Sequence, residues 1–133
     1  MFKRSLILGL VAGLFAGIAA VIYQKVYAGA LGYDFATIVK PLNIFAATLI
    51  GGIIAALGYW LIVGLWLKEK GEIIFNLLLA IASFATILGA FAYKLPLDVE
   101  MPELFPGLTV PMHFFPALAW FTFKPLFFKP VQK

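Results

Sequence analysis

"SLILGLVAGLFAGIAAVIY", residues 5–23, runs for 19 residues without a charged side chain. As a helix it would reach roughly 28 Å, close to the ~30 Å hydrocarbon thickness of a bilayer. A backbone crossing hydrocarbon has to satisfy its own hydrogen bonds, which a helix does. The segment therefore predicts a transmembrane helix. It also predicts how that helix packs. Gly9, Gly13 and Gly17 recur every four residues and stack on one face, with Ala12, Ala16 and Ala20 beside them. Lipid tails are as apolar as leucine, so helices associate there through close approach and dispersion, and a face bare of side chains admits another backbone.

The same composition continues outward. The chain has 133 residues, 64% of them hydrophobic, and a mean hydropathy of +1.05, far from the soluble range. Apolar runs at 41–67 and 73–93 are long enough to span. A fourth, 111–128, is weaker, because its apolar stretch ends at Phe123 and Lys124 and Pro125 follow. A lysine near a helix end extends its ammonium to the interface, so this segment reads as a span; the competing reading is a short re-entrant or interfacial helix. The expected fold is all-α and integral to the membrane, an up-down four-helix bundle forming one domain over residues 1–133. The opening "MFKR" plus apolar residues also resembles a secretory signal, with "AGA" at 28–30 as a cleavage site. The apolar run exceeds the usual signal core of about 7 to 15 residues, so retention as a first span is expected.

Charge sets the orientation. Lys3, Arg4, Lys68, Lys70, Lys124, Lys129 and Lys133 fall on the side of the termini, and Lys25, Lys40 and Lys94 on the other. That seven-to-three bias places both termini in the cytoplasm, with Asp34, Asp98, Glu100 and Glu103 outside. The net charge of +4 is scattered over loops and ends, so no nucleic-acid groove is expected. Cysteine is absent, which excludes disulfides, thiolate nucleophiles and cysteine-ligated clusters.

Between the spans, "KEKGE" (68–72) reads as a tight cytoplasmic turn joining helices 2 and 3. The first outer loop suits an interfacial segment, with Asp34 capping a short helix that ends at Lys40 before Pro41. The second, residues 94–110, carries Pro96, Pro102 and Pro106 and reads as an extended, ordered flap over the outer end. Helix 2 offers a small-residue strip, Ala47, Gly51 and Ala55, flanked by Gly52 and Ala56. Helix 3 has Ala82, Ala85, Gly89 and Ala92. These strips serve either a dimer face or packing within the bundle, and the second is the simpler reading. Helix 4 differs: Phe114, Phe115, Trp120 and Phe121, followed by Phe123, Phe127 and Phe128, make a bulky surface that fills the wide side of the bundle, faces lipid, or docks on another membrane protein.

His113 is the only histidine. It sits behind Pro111 near the outer interface, where an imidazole binds metal or passes a proton. Asp98, Glu100 and Glu103 are the acids that could join it, yet their spacing matches no metal-ligand signature. A structural role, hydrogen-bonded to the flap or the first outer loop, is the preferred reading. Within the spans the polar residues are Asn43, Thr48, Asn76, Ser83 and Thr86, each able to bond a neighbouring helix or its own backbone. No charge lies deep in helices 1 to 3, whereas ion-coupled transporters and pumps mark their path with one. A serine hydrolase needs a base beside its nucleophile, and no serine lies near His113. Neither catalytic residues nor a bound cofactor or metal is expected.

The opening "SLILGLVAGLFAGIAAVIY" and the closing "LPLDVEMPELFPGLTVPMHFFPALAWF" resemble the small, uncharacterised four-helix bacterial membrane proteins grouped as a domain of unknown function. The resemblance implies a bacterial cytoplasmic membrane location and no activity. Four-span multidrug exporters are similar in length only, because residues 5–23 lack their embedded glutamate. Together these readings lead us to expect a non-enzymatic accessory subunit, partnered by the lipid bilayer and a larger membrane complex. The alternative is a homo-oligomeric conduit for ions or small solutes, with His113 and the outer acids at its mouth.

Overall fold

The computed structural model describes residues 1–129; Lys133, used in the charge count, lies outside them. Every element among the described residues is helical. α1 covers Phe2–Leu31 and α2 covers Pro41–Tyr59, which continues as a π-helical stretch, Trp60–Trp66. α3 covers Lys68–Ala92, α4 Phe105–Met112 after a 3-10 turn at Pro102–Leu104, and α5 Phe115–Phe127. Four helical stretches, Phe2–Leu31, Pro41–Trp66, Lys70–Ala92 and Pro102–Phe127, are long and apolar enough to cross a bilayer.

Local chemistry sets the boundaries. α1 runs well past Tyr23 because nothing interrupts it before Gly32, whose left-handed φ of 72° lets its N–H cap the Ala28 carbonyl. Lys40 is extended, and Pro41 begins α2 at a position that needs no donor. The first outer loop holds no helix. Asp34 instead accepts a bond from the Ala36 N–H at 2.8 Å, and the turn that follows closes onto the Phe35 carbonyl. At the other end of α2 the chain reverses on Leu67 and Lys68, the latter at a φ of 44°, so "KEKGE" is already the first turn of α3.

α1 and α2 meet backbone to backbone. A Cβ on Gly9 would overlap the Gly52 carbonyl oxygen, one on Gly13 would lie 2.7 Å from the Thr48 oxygen, and one on Gly17 2.5 Å from the Phe45 ring. The pairing descends in α2 as it ascends in α1, so the helices are antiparallel. The strip that α2 offers is Thr48, Gly52 and Ala56, all buried, one residue on from the expected Ala47, Gly51 and Ala55. Both strips consist of small residues about 100° apart on the helix. Ile44 and Tyr59, both buried, extend the strip that meets α1.

α2 and α3 touch closely only at the end where the chain reverses. There a Cβ on Gly71 would lie 2.8 Å from the Ile62 oxygen and 2.9 Å from the Val63 Cα. One helical step further, a Cβ on Gly58 would meet only the Phe75 ring at 3.6 Å, and one on Gly51 would meet nothing within 4 Å. The two helices therefore splay apart. Among the described residues no Cα of α3 comes within 8 Å of a Cα of α1, and its expected packing strip is unused: Ala85, Gly89 and Ala92 are exposed.

The expected extended flap is helical from Pro102 to Met112, and the fourth span is two helices with a break at His113 and Phe114. Proline causes the break. Pro111 has no N–H for the Gly107 carbonyl, and that carbonyl accepts the Tyr23 hydroxyl at 2.8 Å instead. Tyr27 bonds the Leu104 carbonyl at 2.6 Å, and buried Gln24 the Val39 carbonyl at 2.6 Å. Three side chains at the end of α1 thus tie down α4 and the first loop through backbone oxygens. They surround a small core of Phe35, Phe105 and Leu108. A second core, Leu8, Ala12, Ala56, Tyr59, Phe75 and Trp120, lies at the other end of the bundle. The aromatic surface of the fourth span packs on the other helices: Trp120 is 1% exposed, and the partly buried Phe115 packs on Tyr23, Phe114 on Phe84 and Phe123 on Phe15. Of the side chains expected to face lipid or a partner, only Phe121 is exposed.

Candidate functional site: a cavity between α2, α3 and α5

Between the two cores the splay leaves a cavity of about 860 Å³. Phe75 and Trp120, from one core, form its floor, and Phe105, Ile38 and Val39 its roof. One wall is the face of α2 that carries Ala47, Gly51 and Ala55, so the strip expected to pack lines open space instead. Leu78, Leu79, Ala82 and Ser83 of α3 form the facing wall, and Thr109, Met112, His113 and Ala117 close the back. Ala47 and Ile54 on α2 and Leu78 and Ala82 on α3 line the cavity and are themselves exposed. The cavity accordingly opens sideways, between α2 and α3, through apolar lips.

The lining is apolar with a few polar groups, the usual make-up of a small-molecule site, and the volume lies within the ~300–1,000 Å³ such sites span. Among the described residues, none that lines the cavity is charged. The hydroxyls bond their own helices rather than a neighbour: Thr48 donates to Phe45, Ser83 to Leu79, Thr86 to Ser83 and Thr109 to Phe105, all at 2.9–3.2 Å. Asn43 stands exposed at the rim. Asn76 of α3, outside the lining, leaves its Oδ1 buried without a partner among the described residues.

His113 lies at the helix break and lines the cavity. Its backbone N–H turns to the Val110 carbonyl in a 3-10 bond, which frees the Thr109 carbonyl. The ring takes that oxygen through Nδ1 at 2.7 Å. A carbonyl only accepts, so Nδ1 donates this bond, and in the neutral tautomer that satisfies it Nε2 is an acceptor. Thr109 belongs to the segment expected to be a flap, so the partner lies there, but as one turn of helix. Asp98, Glu100 and Glu103 are exposed and are not part of the lining. Among the described residues no three acidic, histidine or cysteine side chains come close enough to hold a metal.

Sequence reasoning missed a second polar feature. Lys124, expected to extend to the interface, is buried and pairs with Glu72 of α3, its ammonium 5.5 Å from the Tyr59 ring centre. Charge counting places both residues at the same end, and that was the available signal. Beneath the cavity Tyr59 meets Phe75 and Trp120 edge to face, and Phe75 and Trp120 lie tilted against each other, all at 5.0–5.6 Å between ring centres. The indole N–H of Trp120 has no partner among the described residues and no exposed surface. The ion pair thus fastens α3 to α5 directly below the floor. Comparison of the chain with protein-family models, curated proteins and solved structures found no match.

Proposed function

We propose that this is a multi-pass membrane protein, with both termini cytoplasmic, that binds one apolar or amphiphilic molecule taken sideways from the lipid. The bacterial cytoplasmic membrane is its proposed location, and the role is one of binding rather than catalysis. The observation that carries this reading is the uncharged cavity, whose opening lies between two helices apolar enough to be lipid-facing. Ion-coupled pathways are marked by intramembrane charges, and among the described residues no aspartate, glutamate, lysine or arginine lines this space. Gly51→Leu tests the reading, because a side chain there extends into open space. Native mass spectrometry from mild detergent should find a bound lipid-like molecule on the wild type and little on the variant, with equal thermal stability. A wild type that carries nothing, in detergent and from native membranes alike, overturns it.

A second reading, an accessory subunit, draws its support from α3 rather than the fourth span. Ala85 and Gly89 are exposed, and a Cβ on Gly89 would meet nothing within 4 Å, so another transmembrane helix has room to approach. Gly89→Leu should then release a co-purifying partner while leaving the bound amphiphile in place.

A further inference from the structure

The hydrogen-bonding inventory of the cavity selects among amphiphiles. This inference rests on the cavity being a binding site and adds which chemistry it takes. Thr48, Ser83 and Thr109 have each committed their one proton to a backbone carbonyl, and His113 has committed Nδ1. What these side chains have left is lone pairs. Nε2 of His113, the strongest acceptor of the set, has no partner among the described residues. The lining side chains that keep an accessible donor, Asn43 and Tyr93, are both exposed at the outer ends of α2 and α3. The indole N–H of Trp120 is closed off from the space. The interior is therefore rich in acceptors and poor in donors.

Such an interior favours a guest that donates. Carbonyl, ether or ester heads would set acceptor against acceptor and leave His113 desolvated without compensation. An ionised carboxylate or phosphate would be buried without a counter-charge, since among the described residues none of the lining is charged. We propose that the cavity holds the end of an uncharged amphiphile, a long-chain alcohol, whose hydroxyl donates to Nε2 of His113. The apolar chain then lies along Ala47, Gly51, Leu79 and Ala82 toward the aromatic floor and the opening.

The test compares a brominated long-chain alcohol with its methyl ether and with the carboxylate of equal length, read by quenching of Trp120 in protein carrying Trp60→Phe and Trp66→Phe. The alcohol should bind about fivefold more tightly than the ether, the worth of one hydrogen bond. His113→Phe should abolish that preference without weakening the ether, and His113→Gln, which restores an acceptor oxygen, should recover part of it. Equal affinity of alcohol and ether for the wild type overturns the assignment, as does a carboxylate that binds as well as the alcohol, or a preference that survives in His113→Phe. If His113→Phe does not fold, the wild-type ratio and the glutamine variant decide the matter. Binding of the ether with no preference sinks the role of His113 alone, whereas quenching by none of the three probes sinks the cavity reading beneath it.

Discussion

α2 presents two adjacent stripes of small residues to opposite surroundings. On one, Gly52 sits so close to Gly9 that neither tolerates a single added carbon. On the other, its neighbour Gly51 has open space. The difference extends to whole helices: 44% of the most apolar stretch of α1 is buried within the protein, against 17% for α3. Small residues thus do two jobs in one helix. Where a partner backbone arrives they form a seam, and where the partner leans away they form a wall. The lean has a local cause. α3 is held against the end of α2 at Gly71 and against the fourth span at Phe84 and Lys124, and between these points nothing draws it onto α2.

Breaking the seam should have the largest effect. Gly52→Leu, or Gly9→Leu from the other side, forces backbones apart and should cost about 3 kcal/mol or more, seen as a large fall in melting temperature in detergent. Gly13→Leu should follow closely. If either melts like the wild type, the seam is not as close as described. Glu72→Gln should come next. It leaves Lys124 unpaired and mostly buried, but Glu72 is itself partly exposed, so the expected loss is about 1–2 kcal/mol rather than the full cost of a stranded charge. Adding Lys124→Met should return most of it, and a double variant worse than Glu72→Gln would show that the pair does not act as a unit. Tyr23→Phe removes the hydroxyl that satisfies the Gly107 carbonyl and should cost about 1 kcal/mol, with hydrogen exchange rising first in α4. Gly51→Leu should change stability by less than about 0.5 kcal/mol. Its contrast with Gly52→Leu, one residue away, is the sharpest check on the comparison.

The number of long apolar stretches was legible because hydropathy alone reveals it, but their ends were not: α1 runs on to Leu31 and the fourth stretch begins at Pro102. The face α1 uses was legible too, since Gly9, Gly13 and Gly17 have no competing stripe. The partner stripe on α2 was not legible. Thr48, Gly52 and Ala56 are as small as Ala47, Gly51 and Ala55, and only the direction from which α1 and α3 approach distinguishes them. The cavity was hidden for the same reason, being a property of the angle between helices. The packing of Trp120 and its neighbours on the other helices was hidden too, because an aromatic side chain is as compatible with lipid as with a core. At His113 the sequence exposed the prolines but not their effect. Pro111 removes one donor, the last turn of α4 tightens, and the Thr109 carbonyl thereby becomes free to orient the ring.

The partnership of Glu72 and Lys124 also imposes an order in time. A chain is made from its amino end, so Glu72 is in place 52 residues before Lys124 is synthesised. The stretch bearing that lysine has a mean hydropathy of 1.2, the lowest of the four, and in a bilayer would on its own have the weakest hold. It arrives to find a counter-charge already waiting at the end of α3. If the proposed membrane reading holds, retention of the stretch bearing Lys124 depends on a residue laid down 52 residues earlier.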